Sequence, residues 1–476
     1  MKGEKRPWRE NIEAMTMAVV MALFLKGFII EAYKIPTGSM QPTLIGDERS
    51  GIEDRILVDK LSYVLGDPQR WDVAVFRYPL DRSQNFVKRV VGIGPEELKI
   101  ENGDLWHRPD GDRPWEILRR PKAVQGATWK RLDLSDPPVS SWGPPRGETR
   151  GAAWEYEGRT IRARGPGRTA FRPKNSSIMD HYLDGYPEAV LPYMESRRGR
   201  RGFDGFHAVG DLRLDGTVRP DGAVQEIRLG LREGLRHYVF HLPGPAANAD
   251  AKPRIEVRLD GRLPWPGQDP PPTIETPSPR RLDAGRETRF AVQNIDDRLS
   301  LELDGDPLLT LDIPPASDQS SSVSIELDGP GDARCDFEDL MVYRDIYYLS
   351  EGRWLVTIPE GSYYMLGDNT QDSSDSRAWH YLRYSVTEGG GGERILRGND
   401  RGNENPRVFG YGDEDGTKLL LVDEYGERHI FHQRNSRKLP PENAPFVPRE
   451  MFQGKALAVF WPLDPLRHLV RLKWIH

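Results

Sequence analysis

The sequence predicts a mainly β chain carried on one N-terminal transmembrane helix, and three observations point there. Glycine and proline are abundant, 47 and 40 among 476 residues, which implies many turns and favours strands over helix bundles. Short runs of alternating apolar and polar residues recur between Asp-Gly pairs across the middle of the chain, the pattern of half-buried strands joined by tight turns. One long apolar run lies near the N-terminus.

That run, Ala14 to Ile30, has 17 residues and a single charge, Lys26. With Glu13 and Ala32-Tyr33 in the interface it approaches the ~20 residues that cross a ~30 Å hydrocarbon core. Lys26 lies near one end, where a lysine can snorkel to the headgroups. Lys2, Lys5, Arg6 and Arg9 precede the run, so the basic end is expected in the cytoplasm and the remainder outside. Ile29-Ile30-Glu31-Ala32-Tyr33-Lys34 fits poorly to the small-x-small cleavage site of a secretory signal. An uncleaved anchor is therefore expected.

Two long segments interrupt the rest. From about His107 to Asp345, the opening to about Gly165 is rich in Pro, Arg, Gly and Trp and reads as irregular. Beyond Phe203, strands are expected at Ala208–Leu214, Arg254–Leu259, Thr288–Gln293, Leu299–Leu303 and Ser322–Leu327, with turns at Asp260-Gly261, Asp304-Gly305 and Asp328-Gly329. This predicts an inserted antiparallel β-sandwich. The second segment, about Ser385 to Pro445, opens on Glu388-Gly389-Gly390-Gly391-Gly392-Glu393, a flexible-linker composition. It holds a hairpin pattern, Lys418–Val422 with Arg428–Phe431.

Composition narrows the function. Net charge is −6 with pI near 6.0, which leaves no basic footprint for nucleic acid. The single cysteine, Cys335, excludes a disulfide within the chain. There is no Cys/His cluster at zinc-ligand spacing and no phosphate-binding loop, so neither metal nor cofactor is expected.

Chemistry concentrates just after the apolar run, in Ile35-Pro36-Thr37-Gly38-Ser39-Met40-Gln41-Pro42-Thr43-Leu44. Pro36, Gly38 and Pro42 break regular structure on both sides of Ser39, so the hydroxyl sits in a turn close to a membrane surface. Asn85-Phe86-Val87-Lys88-Arg89-Val90-Val91-Gly92 reads as a strand in which Phe86, Lys88 and Val90 share one face. An exposed lysine is neutral about once in 2,500 molecules at pH 7. One buried between apolar neighbours loses roughly 3–5 pKa units and becomes a usable base. A solvated basic strand is the plainer reading of that octapeptide alone. Lys60 is a rival base, with a weaker apolar roof. Gly367-Asp368-Asn369-Thr370-Gln371-Asp372-Ser373-Ser374-Asp375-Ser376-Arg377 leaves the strand-like Tyr363–Leu366 as a polar loop, in which Asp375 and Arg377 can pair.

Together these blocks resemble the type I signal peptidases, membrane-bound leader peptidases with a serine–lysine dyad. The resemblance covers Pro36–Leu44, Trp71–Pro79, Phe86–Gly92 with Leu98–Trp106, Gly367–Arg377 and Val447–Ala456, about a third of the chain. It implies Ser39 as nucleophile and Lys88 as general base, without histidine. It further implies Thr37 assisting the Ser39 N–H in an oxyanion hole, Ser373 orienting the lysine, and Asp375 with Arg377 as a structural pair. One departure stands out: Gly92-Ile93-Gly94-Pro95-Glu96 replaces the family's usual Gly-Leu-Pro-Gly-Asp.

The implied organisation is a cytoplasmic tail (1–12), a transmembrane helix (13–33) and a signal-peptidase-type β catalytic domain in three parts (34–106, 346–384 and 446–476). Insertions occupy 107–345 and 385–445, and the first is expected to be dispensable for chemistry. Implied partners are signal-peptide-bearing preproteins, membrane lipid and the export translocon, with the catalytic domain on the outer face of a bacterial inner membrane. Phe290–Leu311 and Phe337–Tyr343 loosely resemble jelly-roll domains of the laminin-G and concanavalin type, which makes glycan a further candidate ligand, with a packing or spacer role as the equal alternative. Two other classes compete: an envelope binding protein using a lectin-like sandwich, and a soluble self-cleaving serine–lysine protein of the repressor type. The first disagrees with an intact dyad, and the second leaves the anchor without a purpose.

Overall fold

The computed structural model describes residues 7–47, 51–132, 138–145, 154–173, 177–186, 205–261, 265, 271–350, 354–387, 392–399, 405–410, 416–464 and 469–476. Lys2, Lys5 and Arg6, and 388–391 of the glycine run, lie outside these. A helix runs from Pro7 to Phe24 and continues as a π-helical turn, Leu25–Ile29. Its span Asn11–Ile29 is long and apolar enough to cross a membrane, and none of it is buried against the protein. The helix stops short of the Tyr33 limit expected from the apolar run. Ile30–Lys34 instead pairs antiparallel with Arg55–Asp59, so backbone pairing with the first sheet replaces the last helical turn.

That sheet carries three of the resembling blocks, Trp71–Pro79, Phe86–Gly92 and Val447–Ala456. Its order is Ile30–Lys34, Arg55–Asp59, Phe452–Trp461, Val73–Tyr78, Asp81–Ile93, Ser362–Leu366 and Phe446–Pro448, with Lys473–Trp474 also pairing Phe452–Trp461. Residues distant in sequence thus become neighbours, and Lys88 faces Ala74 across one ladder. Apolar side chains close both faces. Met40 and Leu44 pack with Ile56, Val58, Val73 and Val75, while Phe76, Val90, Met365 and Trp379 form a second cluster. A smaller sheet, Leu355–Ile358, Glu96–Glu101, Asp104–Arg108 and Glu116–Ile117, adjoins it.

The expected sandwich is present as two antiparallel sheets. One is ordered Glu155–Glu157, Thr160–Arg164, Arg334–Arg344, Leu212–Pro220, Thr288–Ile295, Arg298–Leu303 and Asp306–Asp312. The other is Trp142–Gly143, Gly167–Phe171, Ser321–Asp328, Glu226–Glu233, Arg236–Pro243, Arg254–Leu259 and Thr273–Glu275. The alternation does what period two requires: Ile227, Leu229 and Leu231 point into one shared core with Val292, Leu301 and Val342. Asp304 and Gly305 have φ of 53° and 90°, the left-handed pair that a two-residue hairpin turn requires. The opening of this insertion corrects the sequence reading. Thr160–Arg164 and Gly167–Phe171 are strands, one in each sheet, and bury Ile161, Ala163 and Phe171. Their arginines face outward, which disguises the inward alternation.

In the second insertion Lys418–Val422 pairs with Arg428–His432 as expected, and Arg407–Phe409 adds a third strand. His380–Thr387 runs on between Glu393–Asn399 and Ser436–Asn443. This unit docks on the first sheet's hairpin tip, where the Arg82 N–H donates to the Glu424 carbonyl and Asn399 Nδ2 to that of Leu80.

Candidate active site

Ser39 sits in a tight turn, with Gln41 N–H donating to the Gly38 carbonyl and Leu44 N–H to that of Met40. Met40 and Leu44, 1% and 0% exposed, plug the turn into the core and hold the serine above it. The far end is tied down by Asp54, whose Oδ2 accepts from the Ile45 N–H and whose carboxylate takes a two-point bond from Arg471.

Lys88 comes from the long strand Asp81–Ile93 and is 4% exposed. Its Nζ lies 2.6 Å from Ser39 Oγ and 5.5 Å from the centre of the Phe86 ring. Burial lowers its pKa to about 8, while Asp375 pulls upward and Arg377 downward. The amine is thereby brought within reach of neutrality near physiological pH, in contact with the hydroxyl. Lys60 is not a competitor, since its Nζ bonds the Gly27 carbonyl and lies 3.4 Å from Glu31.

The polar loop closes the site from the other side. Asp375 and Arg377 pair at 2.7 Å with both side chains fully buried. Burial alone would raise the Asp375 carboxyl, and Arg377 outweighs that and holds it low. Asp375 also accepts from the Gly367 N–H at 3.0 Å. Gly367 has to be glycine: a Cβ there would fall 2.4 Å from the Ser39 carbonyl and 2.1 Å from Ser373 Oγ. Ser373 is buried beside Asp375, close enough to favour its carboxylate, but its hydroxyl makes no bond of ordinary geometry. The hydrogen bond of Lys88 goes to Ser39 instead. Thr37 stays exposed at the mouth of a cleft of about 600 Å³ lined by Ser39, Phe86, Lys88, Asp372 and Ser374 among others.

Four further residues assemble this site without having been singled out in the sequence. Asn369 donates from Nδ2 to the Gly38 carbonyl (3.0 Å) and from its backbone N–H to the Ser39 carbonyl (3.1 Å), so it clamps the serine turn directly. Arg89 makes a two-point bond to Asp368 at 2.8 and 2.7 Å, and Thr43 donates to the same carboxylate. Arg89 and Asp368 are both fully buried. The available signal was the carboxylate and amide of Asp368-Asn369 directly after a buried strand, a position where each must find a partner.

The first insertion also touches the loop. Tyr182 donates to Asp372 Oδ2 at 3.1 Å, and Gln371 donates to the Asp180 carbonyl. The insertion thus contacts the loop that contributes Asp372 and Ser374 to the cleft lining.

These features define a β protein with an apolar N-terminal helix and a buried serine–lysine contact at the mouth of one cleft. The family model for signal peptidase, peptidase S26, matches residues 8–110 and 334–390. These two segments are similar to that family, and a long unmatched stretch separates them. A probable signal peptidase I-2 of Synechocystis sp. is 35% identical over 105 residues, 21% of this chain and 45% of the relative. Signal peptidase I of Aquifex aeolicus is 36% identical over 92 residues, 19% and 34% of the two chains, and that of Leptolyngbya laminosa 30% over 148 residues, 29% and 61%. The chain thus spans less than half the length of the first two. Among solved structures, a carbohydrate binding module from Bacillus subtilis aligns over 42% of this chain and 93% of its own, at 12% identity and TM-score 0.24. The VIP36 exoplasmic/lumenal domain aligns over 45% and 90%, at 11% identity and TM-score 0.28. At these values neither likeness says what the sandwich binds.

Proposed function

We propose that this protein is a membrane-bound serine endopeptidase that removes N-terminal signal peptides from exported preproteins. The observation that carries the reading is the 2.6 Å contact between Lys88 Nζ and Ser39 Oγ, within the family-matched segment 8–110 that also contains the apolar helix. In this reading neutral Lys88 takes the Ser39 proton as the oxygen attacks the scissile carbonyl, then returns it to the leaving amine. Water releases the acyl group from Ser39 by the reverse path. The Ser39 N–H, with the Thr37 hydroxyl, is the proposed oxyanion hole, each donor being worth roughly 2.7–4 kcal/mol. Ser373, Asp375 and Arg377 are proposed as supports that fix the lysine and the loop. The catalytic unit is residues 34–106, 346–384 and 446–476. Its proposed side is the outer face of a bacterial inner membrane, because the basic residues precede the apolar span Asn11–Ile29. Emergence of the first strand directly from the helix suits a substrate that is itself held in the bilayer.

Detergent-solubilised protein incubated with a preprotein tests the reading, and a single cut at the signal junction is expected. Persistence of intact preprotein with well-folded enzyme contradicts it. The rate should rise as Lys88 loses its proton, climbing between about pH 7 and 9 and levelling above. A profile abolished by replacing a histidine overturns the lysine as base. Asn369→Ala should cut the rate on the order of 10²-fold, because the serine turn loses its clamp and small misplacements of a nucleophile are costly. Its melting temperature should fall only by the equivalent of about 1–3 kcal/mol. Wild-type turnover in that variant would show that the turn holds itself.

A further inference from the structure

Carboxyl groups from distant parts of the chain converge where the sandwich meets the smaller sheet. Asp104 opens the strand Asp104–Arg108, and Asp211 immediately precedes Leu212–Pro220. Asp296 lies in the turn between Thr288–Ile295 and Arg298–Leu303, and Asp345 follows Arg334–Arg344. Oxygens of Asp104, Asp211 and Asp296 all lie within 4.8 Å of one another. Asp211, Asp296 and Asp345 are 8%, 3% and 2% exposed. Arg120 reaches the group, bonding Asp296 Oδ1 at 3.2 Å and also Asp345 Oδ2.

The Asp296 N–H donates to Asp211 Oδ2 at 2.8 Å, and this bond with the one guanidinium still leaves acceptors unmet. Asp296 Oδ2 and Asp345 Oδ1 are buried and lack any hydrogen-bond partner. A buried carboxylate oxygen without a donor is strongly disfavoured. Such a group is relieved either by protons or by a cation that replaces the repulsion with shared coordination.

The donor set favours the cation. All the donors are hard carboxylate oxygens, with no imidazole or thiolate among them, which suits calcium or magnesium rather than zinc or copper. Calcium–oxygen distances of about 2.3–2.6 Å place opposite ligands roughly 4.6–5.2 Å apart, the spacing these oxygens already allow. Magnesium needs about 2.0–2.1 Å and stricter octahedral order. We propose that Asp104, Asp211 and Asp296, backed by Asp345, form a calcium site that ties the inserted sandwich to the hairpin of the smaller sheet. A second cluster, Asp423, Glu427 and His429, is a natural control. There Asp423 already accepts from the Tyr425 and Glu427 N–H groups and bonds His429.

The test uses the full chain in detergent, stripped with EDTA and titrated with calcium chloride or magnesium chloride by calorimetry and thermal melting. One calcium per chain is expected, with a dissociation constant on the order of 10⁻⁴–10⁻³ M. The melting temperature should rise by about 3–6 °C at tenfold excess over that constant. Asp104→Asn should lose the response and Asp423→Asn should keep it, with Asp211→Asn as the second variant should the first fail to fold. Absence of heat and of any melting shift in the unmutated chain overturns the proposal. So does a response to magnesium alone, or a calcium response that survives both Asp104→Asn and Asp211→Asn.

Discussion

Lys88→Met is expected to abolish preprotein processing while raising the melting temperature. The activity loss should be at least about 10³-fold, because the only group in hydrogen-bond contact with Ser39 Oγ among the described residues that can accept its proton is gone. The stability gain follows from the lowered pKa of about 8 against an ordinary 10.5. The unfolded chain binds this proton more tightly than the folded one. The contribution of the buried amine is therefore fully favourable only above about pH 10.5, and it is lost as pH falls toward 8. At pH 7 the charged lysine costs about 3 kcal/mol. Methionine keeps most of the volume and removes that cost, against about 1 kcal/mol for the lost bond to serine. Thermal melts at pH 7 and pH 10 separate the effects, since the gain should shrink at the higher pH. Loss of activity with a lowered melting temperature would make Lys88 a structural residue instead.

Asp368→Ala should cost about 3–5 kcal/mol, the penalty for leaving a fully buried cation unpaired. Asp368 is the two-point acceptor for Arg89, and both side chains are 0% exposed. Arg89 also donates to the carbonyls of Trp71 and His476, so it joins the serine turn, the strand of Lys88 and the residues after the strand Lys473–Trp474 in one knot. The same change removes the acceptor of Thr43, three residues from the buried turn residue Met40. Denaturant melts should show the loss, and cleavage should fall with it. The double variant Arg89→Met, Asp368→Leu should recover much of the stability, because a buried ion pair exchanged for apolar packing is often neutral or better. A wild-type melt for Asp368→Ala would mean that the knot contributes little.

What could be read from sequence was local. Ser39 between Pro36 and Pro42, and Lys88 between Phe86 and Val90, declare a turn and an apolar strand within ten residues each. Asp375 and Arg377 are two residues apart and pair as their spacing allows. Arg89 is different. Its burial depends on a carboxylate 279 positions away, and within its own octapeptide it is just the basic residue of the other strand face. The strands at Thr160–Phe171 were hidden for a related reason: strand formation there depends on packing against Phe337 and Ile325, which local composition does not report. Asp104, Asp211, Asp296 and Asp345 show no motif at all, because four separate chain entries meet at one junction. The bonds that Tyr182 and Asp180 make to the polar loop were likewise invisible, because they join residues about 190 positions apart.

Ser39→Ala tests most directly whether Ser39 is the nucleophile of a signal peptide endopeptidase. The substitution removes one oxygen from a turn held by Met40, Leu44 and Asn369, so the melting curve should be unchanged or nearly so. Processing of a preprotein by this variant, followed by gel and product mass beside the unmutated enzyme, should fall to the uncatalysed background. Cleavage at the signal junction with an undiminished rate would contradict the account.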